Sequence, residues 1–170
     1  MQKHFQESLE QWQNNGGNNM REILFKAKTT VKGNKNHAFN NVWVEGNLII
    51  SGGKYYIHPI ANKVNVEGEL GKIIIMHEII PETLCQYTGL TDKNGKKIWE
   101  NDIVKFPDCE MSTESGFGDV FTNVGKIAYD TYSMSYFITN RVTVDMDDID
   151  IKTEVEVLGN IFDNAELLEG

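Results

Sequence analysis

Cysteine is scarce in this chain of 170 residues, and its two copies, Cys85 and Cys109, lie far apart with no paired spacing. That excludes a disulfide framework and a thiolate metal site, and leaves two reduced thiols. Long apolar runs are missing as well. The longest aliphatic stretch, Ile73-Ile74-Ile75-Met76, falls far short of the roughly 20 residues that cross a bilayer. The N-terminus also lacks the apolar segment of a secretory leader, so the expectation is a cytoplasmic chain without a membrane partner. Histidine is too thinly spread to hold a metal. His4, His37, His58 and His77 share no ligand-like spacing, and His77-Glu78 lacks the second histidine of a zinc-protease motif. Asp145-Met146-Asp147-Asp148-Ile149-Asp150 begins like a calcium loop, yet Ile149 stands at an oxygen-ligand position and Asp150 where the turn needs glycine. Gly116-Phe117-Gly118 has no Walker or Rossmann surroundings, and no Gly-x-Ser-x-Gly occurs. The expectation is no metal, no cofactor, no catalytic residues and no enzymatic activity.

What the chain does contain suffices for a core. Hydrophobic residues make up 40% and charged residues 24%, which suits one domain or two small ones with a wet surface. Charge is unevenly placed. Residues 1–99 hold 12 Lys/Arg against 9 Asp/Glu, a net of +3, whereas residues 100–170 hold 4 against 16, a net of −12. The acidic part repels phosphate backbones, so direct nucleic-acid binding through it is not expected. A basic partner, or mimicry of a nucleic-acid surface, fits the same numbers.

Along the chain the periodicity changes once. Phe5, Leu9 and Trp12 fall at helical spacing, so Lys3–Gln13 is expected to form a short amphipathic helix, followed by the linker Asn14-Asn15-Gly16-Gly17-Asn18-Asn19. Consecutive glycine codons at Gly16-Gly17 can spell a ribosome-binding site upstream of Met20, which makes residues 1–19 an extension ahead of an expected natural start at Met20. From Arg21 onward the period is two. Ile23, Phe25 and Ala27 read as a half-buried strand, Lys32–Asn36 as a turn, and Val42 to Ile50 as strand with a bulge or bend at Gly46. Gly52-Gly53 predicts a tight hairpin into Lys54–His58. Val64 and Val66 alternate, Lys72–Ile80 is a further strand, and Pro81 opens a short helical turn. Asn94-Gly95 is the strongest turn signal, and it leads to a polar corner and the strand Asp102–Phe106. A corner of that kind resembles the first strands of SH3-like barrels. Residues 107–123 read as a long loop, Val124–Tyr129 and Ser135–Thr139 as strands around Thr131-Tyr132-Ser133, Val155–Ile161 as a closing strand, and Asn164 as the cap of a last helical turn. The expected architecture is mainly β (all-β or β-rich α+β): an extension 1–19, a β module 20–81 and an SH3-like β module 82–170, each module barrel-like. Trp43–Ile49 echoes Ile98–Val104 in its aromatic, glutamate, turn residue and apolar pair, which permits but does not require a duplication.

Four blocks in order carry a family resemblance: Met20–Ala27, Trp43–Ile49, Glu82–Phe106 and Glu156–Leu168. The third is the most specific. Together they resemble the YopX-like family, small proteins encoded by phages, prophages and plasmids of bacteria. Cys85, Asn101 and Ala165 depart from the family pattern at loop positions where a small or polar residue, a glycine and a proline are more usual. The resemblance implies an accessory protein working in the cytoplasm of a bacterial host cell, and implies no particular reaction. Recognition of a host or phage protein or of a small ligand is therefore expected, with a homo-oligomer permitted by sheet edges. A counter-defence role, as an acidic nucleic-acid mimic or a trap for a host signalling nucleotide, is the alternative.

Gln86, Tyr87, Thr88, Trp99, Glu100 and Asp102 concentrate aromatic and hydrogen-bonding groups around two turns, with Trp43 and Glu45 supplied by the second block. Two readings stand side by side. Tyr87 and Trp99 pack in the core while Thr88, Asp92 and Asp102 satisfy turn amides. Alternatively, the set lines a groove that binds a peptide or small ligand.

Overall fold

The computed structural model describes residues 22–30, 41–59, 76–109, 119–142 and 154–169. The helix expected over Lys3–Gln13, its linker, the turn at 32–36, the alternation at Val64 and Val66, Gly116–Gly118 and the aspartates of 145–150 lie outside them. The described chain is mainly β, in two antiparallel sheets, with short 3₁₀ turns at Pro81–Thr83 and Ala165–Leu168. No helix among the described residues is long and apolar enough to cross a membrane.

The first sheet uses β1 (Phe25–Lys28), β2 (Trp43–Ser51), β3 (Lys54–Pro59), β4 (His77–Glu78), β5 (Cys85–Thr91) and β6 (Lys97–Trp99), in the order β4-β3-β2-β1-β5-β6. The second uses β7 (Asp102–Cys109), β8 (Val120–Asp130), β9 (Ser135–Ile138) and β10 (Glu156–Asn160), in the order β10-β7-β8-β9. Neither is a closed barrel, which corrects the barrel-like expectation. Closure would need β4 against β6 and β9 against β10, and those strands stand at opposite ends of their sheets. The 81/82 division also falls inside the first sheet, because Phe25 and Lys26 of β1 pair with Gln86 and Cys85 of β5.

Turn chemistry fixes the register. Gly52 and Gly53 adopt φ of 58° and 75° and pair Ser51 with Lys54, the two-residue hairpin that such φ values allow. Gly46 is neither bulge nor bend: it sits in continuous β2 between Phe25 and Pro59. Its requirement is space, since a Cβ there would lie 2.0 Å from the His58 carbonyl oxygen. The 107–123 loop is shorter than expected, as Pro107, Asp108 and Cys109 pair with Thr122, Phe121 and Val120. At the last turn Asn164 makes no side-chain cap, because its Oδ1 instead accepts the Asn160 amide at 3.5 Å.

Burial also departs from the expected half-buried first strand. Because β1 is central and covered on both faces, Ala27 is fully buried and Lys28 is 8% exposed. Three clusters form the core. Ala27, Ile57 and Ile79 lie under one end of the first sheet. Leu24, Cys85, Tyr87 and Trp99 gather with Trp43 and Phe162. Ile98 joins Val104, Phe106, Ile127, Ile138, Val155 and Val157 between the sheets. The chain passes from one sheet to the other at Glu100-Asn101, where Asn101 takes φ of 66°. The echo block at 43–49 stays straight, so the two stretches share a sequence pattern and not a conformation.

Candidate functional site

Alternation along β5 sends its side chains two ways. Cys85 and Tyr87 enter the cluster with Trp43, Trp99 and Phe162. Gln86 and Thr88 point to the opposite face, beside Glu100.

On the first face the aromatic rings enclose cations. Tyr87 and Trp99 are cross-strand partners with ring centroids 5.4 Å apart. Lys26 Nζ lies 5.1 Å from the Trp43 ring centre and 5.3 Å from that of Trp99. The same ammonium donates to Asp102 Oδ1 at 2.7 Å, while Asp102 Oδ2 accepts the Trp99 amide at 2.9 Å. Asp102 thereby closes the corner and fixes the indole beside it. Burial pushes its carboxyl above the ordinary carboxylate value, with Lys26 pulling the other way. Lys28 pairs with Asp163, whose other oxygen accepts the Trp43 indole N–H at 2.6 Å. The Lys28 hydrogen bond holds the Asp163 carboxyl down at about 2 against its partial burial. Burial raises the Cys85 thiol to about 11, so it stays protonated and weakly nucleophilic. These groups are occupied with one another, and the face is structural.

Asp92 plays a related part at the next turn. Its Oδ1 accepts the amides of Asn94 and Lys96 at 2.8 and 2.9 Å, and its Oδ2 reaches Val157 N of β10 at 3.0 Å. Burial alone would raise this carboxyl, yet the Val157, Lys96 and Asn94 hydrogen bonds together hold it below the ordinary value.

The second face of β5 borders a cleft of about 570 Å³ under the β8–β9 hairpin. Gln86, Thr88, Gly89, Leu90 and Glu100 form one wall; Tyr129, Met134, Ser135 and Tyr136 form the other. Register explains the second wall. Ile127 pairs with Ile138 in the core, and two residues along the same face Tyr129 pairs with Tyr136. The hairpin thus carries its core face beyond the end of the core, and the two rings meet edge-on at 5.1 Å. The tip is tied by Asp130, which accepts the Tyr132 and Ser133 amides, and Met134 takes φ of 54° with its side chain 79% exposed. Thr88 is locally satisfied, its hydroxyl donating to the Ile98 carbonyl at 2.8 Å. Glu100 is not: among the described residues its carboxylate has neither an ion pair nor a hydrogen-bond donor.

The structure therefore divides the eight expected binding residues. Gln86, Thr88 and Glu100 share the cleft, Tyr87, Trp99 and Asp102 are buried, Trp43 is half-buried over Lys26, and Glu45 is exposed elsewhere on β2. Tyr129, Met134 and Tyr136 were not singled out from sequence. A signal existed: a four-residue turn at 131–134 sets Tyr129 opposite Tyr136.

A model of the YopX protein family matches residues 7–169, beginning ahead of Met20. The crystal structure of protein EF1440 from Enterococcus faecalis is similar in fold, with a TM-score of 0.52 at 20% identity over 88% of this chain and 99% of that one. No curated protein matches the chain.

Proposed function

The chain belongs to the YopX protein family, and from that premise we propose that it is a phage- or prophage-encoded accessory protein that holds a partner protein in the cleft between β5 and the β8–β9 hairpin, in the bacterial cytoplasm and without turnover. The observation that carries this reading is the cleft itself: two tyrosines and a methionine facing an amide and an unpaired carboxylate. Concave sites with aromatic walls and a few polar groups are the usual form of a binding site. The best-placed carboxylates support recognition over chemistry, since Asp92, Asp102 and Asp163 are consumed by amides and lysines of the fold. The buried Cys85 thiol, raised to about 11, adds no nucleophile.

Capture from host cells with the wild-type chain and with Gln86→Trp, which puts a bulky ring on the cleft face of β5, tests the reading. A host or phage protein retained by the first and lost from the second is the expected result. Identical captures, or conversion of a substrate by the pure protein, would overturn it.

A second reading rests on a different observation, the net charge of −12 across residues 100–170. A counter-defence protein mimicking nucleic acid would bind a basic host protein through that acidity. Such binding would weaken steeply with salt and be indifferent to Gln86→Trp.

A further inference from the structure

The cleft carries a charge that the fold leaves unanswered. Among the described residues Glu100 is the one ionised side chain lining it, and no lysine, arginine or histidine of that set does. Lysines of β1 and of the β5–β6 turn serve other carboxylates: Lys26 pairs with Asp102, Lys28 with Asp163 and Lys93 with Glu156. Beside Glu100 the Gln86 side chain shares the same wall, and the two residues are held together by the Glu100 amide donating to the Gln86 carbonyl at 2.9 Å. Opposite them stand the rings of Tyr129 and Tyr136, inclined at 64°, so that a group entering the cleft meets a ring face as well as a ring edge.

From this arrangement we infer that the cleft receives an arginine side chain of a partner protein, its guanidinium laid against the Tyr129–Tyr136 pair and ion-paired with Glu100. The inference rests on the cleft-binding reading above and names what that site selects. Aromatic faces attract cations, and Arg stacks on them better than Lys because its charge is planar and more weakly hydrated. A guanidinium also supplies several donors in a fixed fork, which suits a carboxylate next to an amide oxygen. A phosphate-bearing ligand would instead meet repulsion from Glu100, with no cation among the described lining residues to offset it. The net −12 of residues 100–170 favours approach of a basic segment on the same grounds. At about 570 Å³ the cleft exceeds one side chain, leaving room for the main chain on either side.

Selection of random displayed peptides on the purified full-length protein tests this, followed by titration of the best synthetic peptide and its citrulline-substituted form. The expected result is enrichment of arginine, with citrulline binding weaker on the order of tenfold, the scale of one charge-assisted contact. Glu100→Gln should erase the preference while leaving the melting temperature in place, and Gln86→Trp should block both peptides. If neutral peptides are enriched that bind independently of Glu100 yet are blocked by Gln86→Trp, the arginine inference fails and the cleft-binding reading stands. Should no selected peptide be sensitive to Gln86→Trp, both fail. Native mass measurement showing a dimer that Gln86→Trp disperses would place a second copy of the chain in the cleft and overturn the partner arginine.

Discussion

The two faces of β5 differ in what their polar groups are for. On the Tyr87 face each strong acceptor has a donor from the fold: Asp102 holds Lys26 and the Trp99 amide, and Asp163 holds Lys28 and the Trp43 indole. On the Gln86 face the hydroxyl of Thr88 is used, while the carboxylate of Glu100 has no partner among the described residues. Aromatic content does not separate the faces, since both have a ring pair at just over 5 Å. Satisfaction does. A cluster whose charges are internally paired stabilises the molecule, and one with an open charge is available to a partner.

Substitutions should break that contrast in a graded way. The largest effect is expected for Trp99→Ala, which empties the 3% exposed indole position and should cost about 3–5 kcal/mol in urea unfolding. Asp102→Ala should follow at about 3 kcal/mol, because it leaves the Lys26 ammonium buried without its partner and opens the corner amide. An unfolding midpoint unchanged by Asp102→Ala would remove the distinction between the faces.

Acid should sharpen it. The Asp163 carboxyl sits at about 2 in the folded protein against an ordinary 3.8. A depressed folded pKa means that its contribution is present above 3.8 and is lost as pH falls from there toward about 2. Asp102, shifted upward by burial, acts in the opposite sense: protonation at low pH relieves a cost. Asp163→Asn should therefore flatten the stability profile over that window, and thermal melts of the two proteins from pH 5 to about 2 should converge as the pH drops.

The smallest changes in stability belong to the cleft. Gln86→Ala and Glu100→Gln should each shift unfolding by less than about 0.5 kcal/mol, as substitutions without internal partners do. Their effect is expected in partner capture instead. Destabilisation by either variant comparable to Trp99→Ala would make the cleft a structural feature after all.

Much of the fold was legible because its signals are local. Gly52-Gly53, Asn94-Gly95 and the alternation in Val124–Tyr129 and Ser135–Ile138 mark hairpins and strands from a few neighbouring residues. Strand order was not legible, and neither was the role of β1. Lys26 and Lys28 read as the wet side of an amphipathic strand, but they are covered because partners 76 and 135 residues away reach them. Sequence alternation reports which residues share a face, and only the packed structure reports what lies over it. For the same reason the expected set divides between the faces of β5: Gln86, Thr88 and Glu100 border the cleft, and Tyr87 and Trp99 turn inward.

The hook at Asp92 has a consequence for synthesis on the ribosome. Its Oδ2 waits for the Val157 amide of β10, and Lys93 N waits for the carbonyl of Val155 just ahead of that strand. A nascent chain arrested before residue 155 therefore holds a first sheet whose turn lacks its anchor, and Ile98 lacks the two valines that cover it. The first sheet is therefore anchored only once β10 has emerged, so nascent chains stalled before and after β10 should differ sharply in protease resistance.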